Sequence, residues 1–352
     1  MLVEWAITGL DGAIPTHWWW AGPGAATVAL VYLLALALVW WRERVEPIAV
    51  FTTRRWRWAA MASLAAVGFA FAWPATTPAP ALRCTFLSVG HGGATLIELP
   101  DGRALLYDAG HMGLPESAAA SVSACLWSRG IRRLEAVVVS HADIDHFNAV
   151  PELLRRFDIG RVIVPPSVLA NTSLAVRELF RSAAAAKVNV ATALAGDELP
   201  IAGGARGENY SLRVLHPAGD QKLSSDNAES LVLSIEHAGR RALLTGDIDG
   251  DGLATLLKTP AIDCDVVAAP HHGSRHSNPL RFARWTTPEW VVVCDGPSAE
   301  LGPLEAAYGA LGGEVLHTAR DGAITFDITA DAIAVSLFRA PHERHEWATR
   351  LW

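Results

Sequence analysis

Four ligand-type side chains fall within six residues in His141-x-Asp143-x-Asp145-His146, directly after the apolar run Leu134 to Ser140. A near-continuous apolar run of this length predicts a strand buried on both faces. The cluster then sits at the carboxyl end of a central strand, where α/β folds gather their chemistry. A compact loop buries two carboxylates and two imidazoles only if something offsets their desolvation. A divalent cation does so, since ionised carboxylate and neutral imidazole are its common donors. The first expectation is therefore an α/β domain built around a metal centre.

The same strand-then-loop pattern recurs twice. Arg241 to Thr245 leads into Gly246-Asp247, and Asp265 to Ala269 leads into Pro270-His271-His272-Gly273-Ser274-Arg275-His276. Asp247 and His272 raise the donor count enough to favour two divalent ions, manganese or zinc, with the extra carboxylate leaning towards manganese. Two such ions acidify a water and hold a scissile group, so hydrolysis is the expected reaction class. Parallel or mixed sheets commonly set such strand ends along one edge. His216, before Pro217, reads as structural. His91, His111, His237 and His317 are isolated and also read as structural, although the Gly-rich loop carrying His91 is expected near the site.

Alternating strands and helices follow a proline-rich segment. Cys84 to Val89, Ala94 to Leu99 and Ala104 to Asp108 predict strands, with a hairpin signal at Pro100-Asp101-Gly102. Ser117 to Arg129 predicts a helix closed by Gly130. Upstream, residues 25–41 and 58–73 are uncharged, apolar and bracketed by tryptophans, which predicts two membrane spans. Residues 74–80 form a proline-rich linker, dividing the chain into a membrane region, 1–80, and a soluble domain, 81–352. Arg42, Arg44, Arg54, Arg55 and Arg57 outweigh Glu43 and Glu46 between the spans, so the positive-inside rule puts that connection in the cytoplasm and both termini outside. The net charge of −7 excludes a strong global field for nucleic acid. The four cysteines have no zinc-finger spacing and read as plain thiols.

From Leu82 to Asp327 the motifs resemble the ComEC family of competence proteins in its metallo-β-lactamase domain. They are Phe86-Leu-Ser-Val-Gly-His-Gly, Leu105-Leu-Tyr-Asp-Ala-Gly, Ser140-His-x-Asp-x-Asp-His, Ser230-Leu-Val-Leu, Leu244-Thr-Gly-Asp and Pro270-His-His-Gly-Ser-x-His-Ser. The resemblance implies an α/β fold, the metallo-β-lactamase αββα sandwich, preceded by the two candidate transmembrane helices. It implies that His141 and Asp143 serve one ion, that Asp145 and His146 serve the other, and that Asp247 bridges. His272 matches the last ligand better than His271, and the first ion's third ligand falls at Asp226 or Asn227. Asp145 and Asp247 carry the catalysis in this reading, and Asp108 orients a ligand from behind. The chain departs from the family at the first loop, commonly Asp-Val-Gly-Gln-Gly-Asp, where Ser88, His91 and Gly93 stand at the variable places. It departs again at Phe147-Asn148-Ala149, which replaces a small, Gly-containing continuation.

The implied task is DNA uptake, with a membrane-anchored nuclease hydrolysing phosphodiesters of DNA outside the cytoplasmic membrane. Arg275, with Ser274 and His276 beside it, is the candidate phosphate contact. Two spans cannot enclose a channel, so a truncated or split member, or a separate membrane-channel subunit, is expected. Hydrolysis of a small ester, thioester or lactam, and a non-catalytic DNA-binding or channel-capping domain, stay open as alternatives.

Overall fold

The computed structural model describes residues 81–199, 201, 210–219, 223–297 and 300–339. The candidate spans 25–41 and 58–73 and the linker 74–80 lie outside the described residues. Among the described residues no helix is long and apolar enough to cross a membrane.

The chain opens with β1 (Leu82–Phe86), β2 (Ala94–Glu98) and β3 (Ala104–Ala109), followed by helix α1 (Pro115–Ser128). Next come β4 (Arg133–Leu134), β5 (Ala136–Val138), α2 (Ile144–Phe147), α3 (Val150–Arg156), β6 (Asp158–Ile159) and β7 (Arg161–Val164). Helix α4 (Leu174–Ala185) leads to β8 (Asn189–Thr192), β9 (Tyr210–His216), β10 (Val232–His237) and β11 (Arg240–Leu244). Then follow α5 (Gly250–Leu256), β12 (Val266–Ala268), α6 (Leu280–Thr286), β13 (Trp290–Val293), α7 (Gly302–Gly309), β14 (Glu314–His317), β15 (Ile324–Ile328) and β16 (Ile333–Leu337).

Two sheets result, in the orders β16-β15-β1-β2-β3-β5-β7-β8 and β14-β13-β12-β11-β10-β9. The β2–β3 hairpin follows from its turn: Asp101 accepts from the Arg103 backbone N–H at 3.1 Å, and Leu99 N–H donates to the Arg103 carbonyl at 2.7 Å. Between β3, β5, β7 and β8 the pairing is parallel, as crossover helices require.

The sheets pack face to face over a core that takes Leu82, Cys84, Phe86, Ile97 and Phe326 from one and Leu233, Ile235, Ala242, Val266 and Trp290 from the other. Leu82, Cys84 and Phe86 alternate along β1, so one face of that strand fills the core. Phe86 meets Phe326 edge-on at 5.8 Å, and Trp290 reaches Phe326 from the opposite sheet at 5.9 Å. Each such ring contributes about 1.5–3 kcal/mol by burial. On the outer face of the second sheet, Val267, Val291 and Val315 pack with Leu253 of α5, Phe282 of α6 and Tyr308 of α7. Helix α4 lies against β8 and α3. It is capped by Ser173, whose hydroxyl accepts from Val176 N–H at 3.3 Å, and buries the stripe Val176, Leu179 and Ala183. The layers run helix, sheet, sheet, helix, as expected of the αββα sandwich.

Two expectations need correction. The run Leu134 to Ser140 is not one strand. Arg133 and Leu134 pair with Asp158 and Ile159 in a separate ribbon, and only Ala136–Val138 joins the large sheet. The half-buried Glu135 marks the switch, its carboxylate taken by Arg133 Nε at 3.0 Å. Nor do the three ligand-bearing strands share one sheet edge. β5 belongs to the first sheet and β11 and β12 to the second, so the site forms where the ends of two facing sheets meet.

Candidate metal centre

Beyond β5 the chain turns through Ser140 into His141, and a short helix then buries Asp145 and His146. One hydroxyl and one carboxylate set the orientation of both imidazoles. Asp108, at the end of β3, accepts from Ser140 N–H on Oδ1 at 2.7 Å and from Ser140 Oγ–H on Oδ2 at 2.8 Å. Its Oδ2 also accepts from His146 Nδ1–H at 2.8 Å. The Ser140 hydroxyl has a single proton, committed to Asp108, so against His141 Nδ1 at 2.9 Å it must accept. That places a proton on His141 Nδ1, so in the neutral ring the lone pair is on Nε2. His141 is fully buried, and this Nε2 has no hydrogen-bond partner. Asp108 achieves its reach at φ 57°, a left-handed conformation that a non-glycine residue adopts at a cost of about 1 kcal/mol or more.

The second sheet supplies the facing groups. After β11, Gly246 turns at φ 53° and delivers Asp247; after β12, Pro270 leads into His271 and His272 at φ 50° and 51°. His272 Nδ1–H donates to the Cys294 carbonyl at 2.7 Å, which aims Nε2 inward. There it lies 3.3 Å from Asp145 Oδ2 and 3.3 Å from Asp247 Oδ2. His146 Nε2 lies 3.2 Å from Asp247 Oδ1 and 3.2 Å from His272 Nε2.

Burial penalises the charged form of each of these groups, yet their mutual attraction prevails. Although burial opposes it, Asp247 holds His272 up at about 10, helped by Asp145. Against the same penalty, Asp247 and Asp108 hold His146 well above the usual imidazole range. Asp247 itself sits well below the carboxylate range, the charges of His146 and His272 outweighing its burial. Asp145 is lowered too, where a hydrogen bond from His272 and the charge of His146 outweigh desolvation. Without a cation, only protons neutralise this set.

The arrangement fits divalent metal on three grounds. The buried Nε2 of His141 has no hydrogen-bond partner in the protein. Two inward Nε2 atoms face each other at 3.2 Å while both Nδ1 positions are engaged. The ligand atoms of His141, His146 and Asp247 lie within 4.8 Å of one another, as do those of His91, Asp145 and His272. Donors on a tetrahedral ion at about 2.1 Å stand about 3.4 Å apart, close to the spacings above.

The sequence-derived candidates are not all treated alike. Asp143 is half exposed, with Oδ2 3.6 Å from His141 Nε2. His146 stands with His141 and Asp247 rather than with Asp145 alone, its Nε2 being 3.9 Å from Asp145 Oδ2. His271 is farther out than His272, with Nε2 3.9 Å from Asp247. Asp226 is in neither cluster; its Oδ2 accepts from Asn171 Nδ2 at 3.0 Å, and Asn227 beside it is half-buried. Arg275 and Ser274 line a cleft with His91, His271, His272 and Asp295, whereas His276 is exposed outside it. His216 is buried, with Nδ1–H on the Ser230 carbonyl at 2.8 Å, and stands in neither cluster.

Sequence reasoning missed three groups. His91, read as structural, joins Asp145 and His272 in the second cluster. Asp295 holds His91 Nδ1 at 2.5 Å, and Asp249 lies 3.6 Å from His271 Nδ1. Asp295 was findable by the rule that found the others, since it follows the buried strand β13. The four cysteines are free thiols, Cys84 and Cys264 buried and Cys125 and Cys294 half-buried, and none is in either cluster.

ComE operon protein 3 of Bacillus subtilis (strain 168) is 28% identical over 172 residues, covering 49% of this chain and 21% of the relative. Competence protein ComA of Neisseria gonorrhoeae is 25% identical over 284 residues, covering 79% of this chain and 37% of the relative. The chain thus spans well under half the length of these curated relatives. Among solved structures, the metallo-beta-lactamase fold protein YhfI from Bacillus subtilis is 12% identical, covering 67% of this chain and 96% of that one at a TM-score of 0.43. The competence relatives agree with the family resemblance of the motifs. A family model described as the metallo-beta-lactamase superfamily matches residues 88–277, more than half of the chain, and the chain belongs to that superfamily.

Proposed function

We propose that this chain is a metal-dependent hydrolase that cleaves DNA phosphodiesters during DNA uptake. The observation that carries the hydrolase reading is the convergence of His141, His146 and His272, each by Nε2, on Asp247 and Asp145. His141, Asp143, His146, Asp145, Asp247 and His272 would hold two divalent ions, manganese or zinc. Ions so held supply an acidified water and charge stabilisation at a phosphoryl oxygen.

The chain's own groups do the rest. Asp108 and Ser140 orient His141 through Nδ1, so that its Nε2 faces the centre. Arg275, exposed at the cleft that His272 lines, is the cation available to a phosphodiester, with Ser274 beside it. The competence proteins among its relatives support DNA as the substrate. In this reading residues 25–41 and 58–73 anchor the chain in the cytoplasmic membrane with the hydrolase domain outside, and a separate channel subunit carries the DNA.

A second reading, hydrolysis of a small ester or lactam, draws on one observation. Asp295 and Glu300 line the same cleft and repel a polyanion. The full chain incubated with manganese or zinc and single- or double-stranded DNA separates the two. Cleavage abolished in Asp145→Asn supports the nuclease. Turnover of a chromogenic ester or lactam without DNA cleavage supports the second reading, and metal binding without either activity leaves a non-catalytic domain.

A further inference from the structure

We propose that His91 is an additional metal ligand, completing a donor set with Asp145 and His272, and that Asp295 is the carboxylate that orients it. The proposal rests on the reading that the centre holds divalent ions, and it adds a donor from the loop after β1, outside the ligand set that the resemblance implies.

The ring is built in the way the three inward imidazoles are built. His141 is held through Nδ1 by Ser140, His146 by Asp108 and His272 by the Cys294 carbonyl. His91 is held through Nδ1 by Asp295 Oδ1 at 2.5 Å, and Asp295 Oδ1 is itself fixed by Gly296 N–H at 2.6 Å. A carboxylate on one ring nitrogen sets the tautomer and makes the other nitrogen a better donor. That other nitrogen, Nε2, lies 3.7 Å from Asp145 Oδ2, too far for a hydrogen bond and close to the separation of two donors on one ion. The ring centroid is 4.4 Å from that of His272.

The loop is not free to carry the ring away. Met112 N–H donates to the His91 carbonyl at 2.7 Å. The adjoining His111 backbone is clasped by Asn148, whose Oδ1 accepts from His111 N–H at 3.1 Å and whose Nδ2–H donates to the His111 carbonyl at 2.8 Å. Asn148 directly follows the helix bearing Asp145 and His146, so ligand loop and His91 loop are tied together. Within Gly90-His91-Gly92-Gly93, His91 is the single side chain able to ligate. Its side chain is 45% exposed at the cleft, so the added donor closes the solvent side of the Asp145–His272 pair.

Metal titration of the full chain tests this. Metal-free wild-type protein, His91→Ala and Asp295→Asn are titrated with manganese by calorimetry, and pulsed electron paramagnetic resonance counts imidazole nitrogens on each bound ion. The expected result is two ions in wild type, with one bound about 10–100-fold more weakly in His91→Ala and one imidazole fewer on that ion. Asp295→Asn weakens the same ion less and keeps the imidazole count. Circular dichroism of the metal-free proteins coincides, because His91 is at the surface. Two ions bound with wild-type affinity and an unchanged imidazole count in His91→Ala overturn the proposal and leave the metal centre standing. No ion bound to wild type overturns the metal centre itself, and His91 with it.

Discussion

His146 Nε2 and His272 Nε2 face each other at 3.2 Å, although both rings are anchored through Nδ1, one on Asp108 and the other on the Cys294 carbonyl. Two bare lone pairs would repel at that distance, so in the metal-free protein the rings hold protons that they share with Asp247 and Asp145, each 3.2–3.3 Å away. This relationship makes the stability of the metal-free domain depend on pH.

Burial opposes charge on His272, but Asp247 and Asp145 hold its pKa at about 10, against about 6.5 when unfolded. A raised pKa stabilises fully below about 6.5, and the contribution is lost as pH rises through the folded value. Asp247 works the other way: held low by His146 and His272, it stabilises above about 3.9 and the contribution is lost as pH falls through its folded value. Chelated protein should therefore melt at progressively lower temperature from pH 6.5 to pH 10, and His272→Gln should flatten that limb. Saturating metal should reverse the trend, because neutral imidazoles are the ligands. A level melting profile in chelated wild type over this range refutes the argument.

Asp108→Asn separates orientation from folding. Asparagine tolerates the left-handed backbone and still accepts from Ser140 N–H, so the metal-free fold survives. The carboxylate that held His146 Nδ1–H and Ser140 Oγ–H is gone, and metal affinity should fall about 10–100-fold by calorimetry. Asp108→Ala should also destabilise the fold by about 1–3 kcal/mol in urea, since the buried Ser140 N–H loses its acceptor.

Which parts of the site were legible depended on how much of each lay on one stretch of chain. The loop from His141 to His146, Asp247 and His272 were readable because each follows a strand whose burial is written in consecutive apolar residues. The loop of His91 was expected near the site, but the role of the ring was not legible, because its partner Asp295 lies 204 residues away. Asp226 shows the converse: it sits beside a motif, and its carboxylate accepts from Asn171 of a distant loop and stands in neither cluster. The layered fold followed from the motifs, whereas the division of ligand strands between two sheets did not. Apolar runs report that a strand is buried and say nothing of which sheet it joins, as the split of Leu134 to Ser140 also illustrates.

Two thiols should be inert in the native state. Burial pushes Cys84 and Cys264 up to about 12, and neither faces the cleft. At pH 8 almost none of either is thiolate, the reactive form. Iodoacetamide followed by mass spectrometry should leave both unlabelled in native protein and label both in urea; rapid native labelling of either contradicts its burial.

Gly246 is where the two sheets touch at the centre, and replacing it separates strain from contact. An alanine there keeps φ at 53°, which costs about 1 kcal/mol, and its Cβ would stand 2.7 Å from Ser140 Cβ, so the Asp247 loop must move away from His141. Gly239, in the β10–β11 turn at φ 79°, has nothing within 4 Å of the same added carbon. Gly239→Ala therefore reports the backbone strain alone, while Gly246→Ala reports strain plus displacement of the loop that positions Asp247 against His146 and His272. Urea denaturation should show Gly246→Ala the more destabilised by about 1–3 kcal/mol, the range of overpacked sites. Calorimetry should show weakened metal binding in Gly246→Ala and none of this loss in Gly239→Ala. Equal effects of the two substitutions would mean that the Ser140 contact does not hold the centre together.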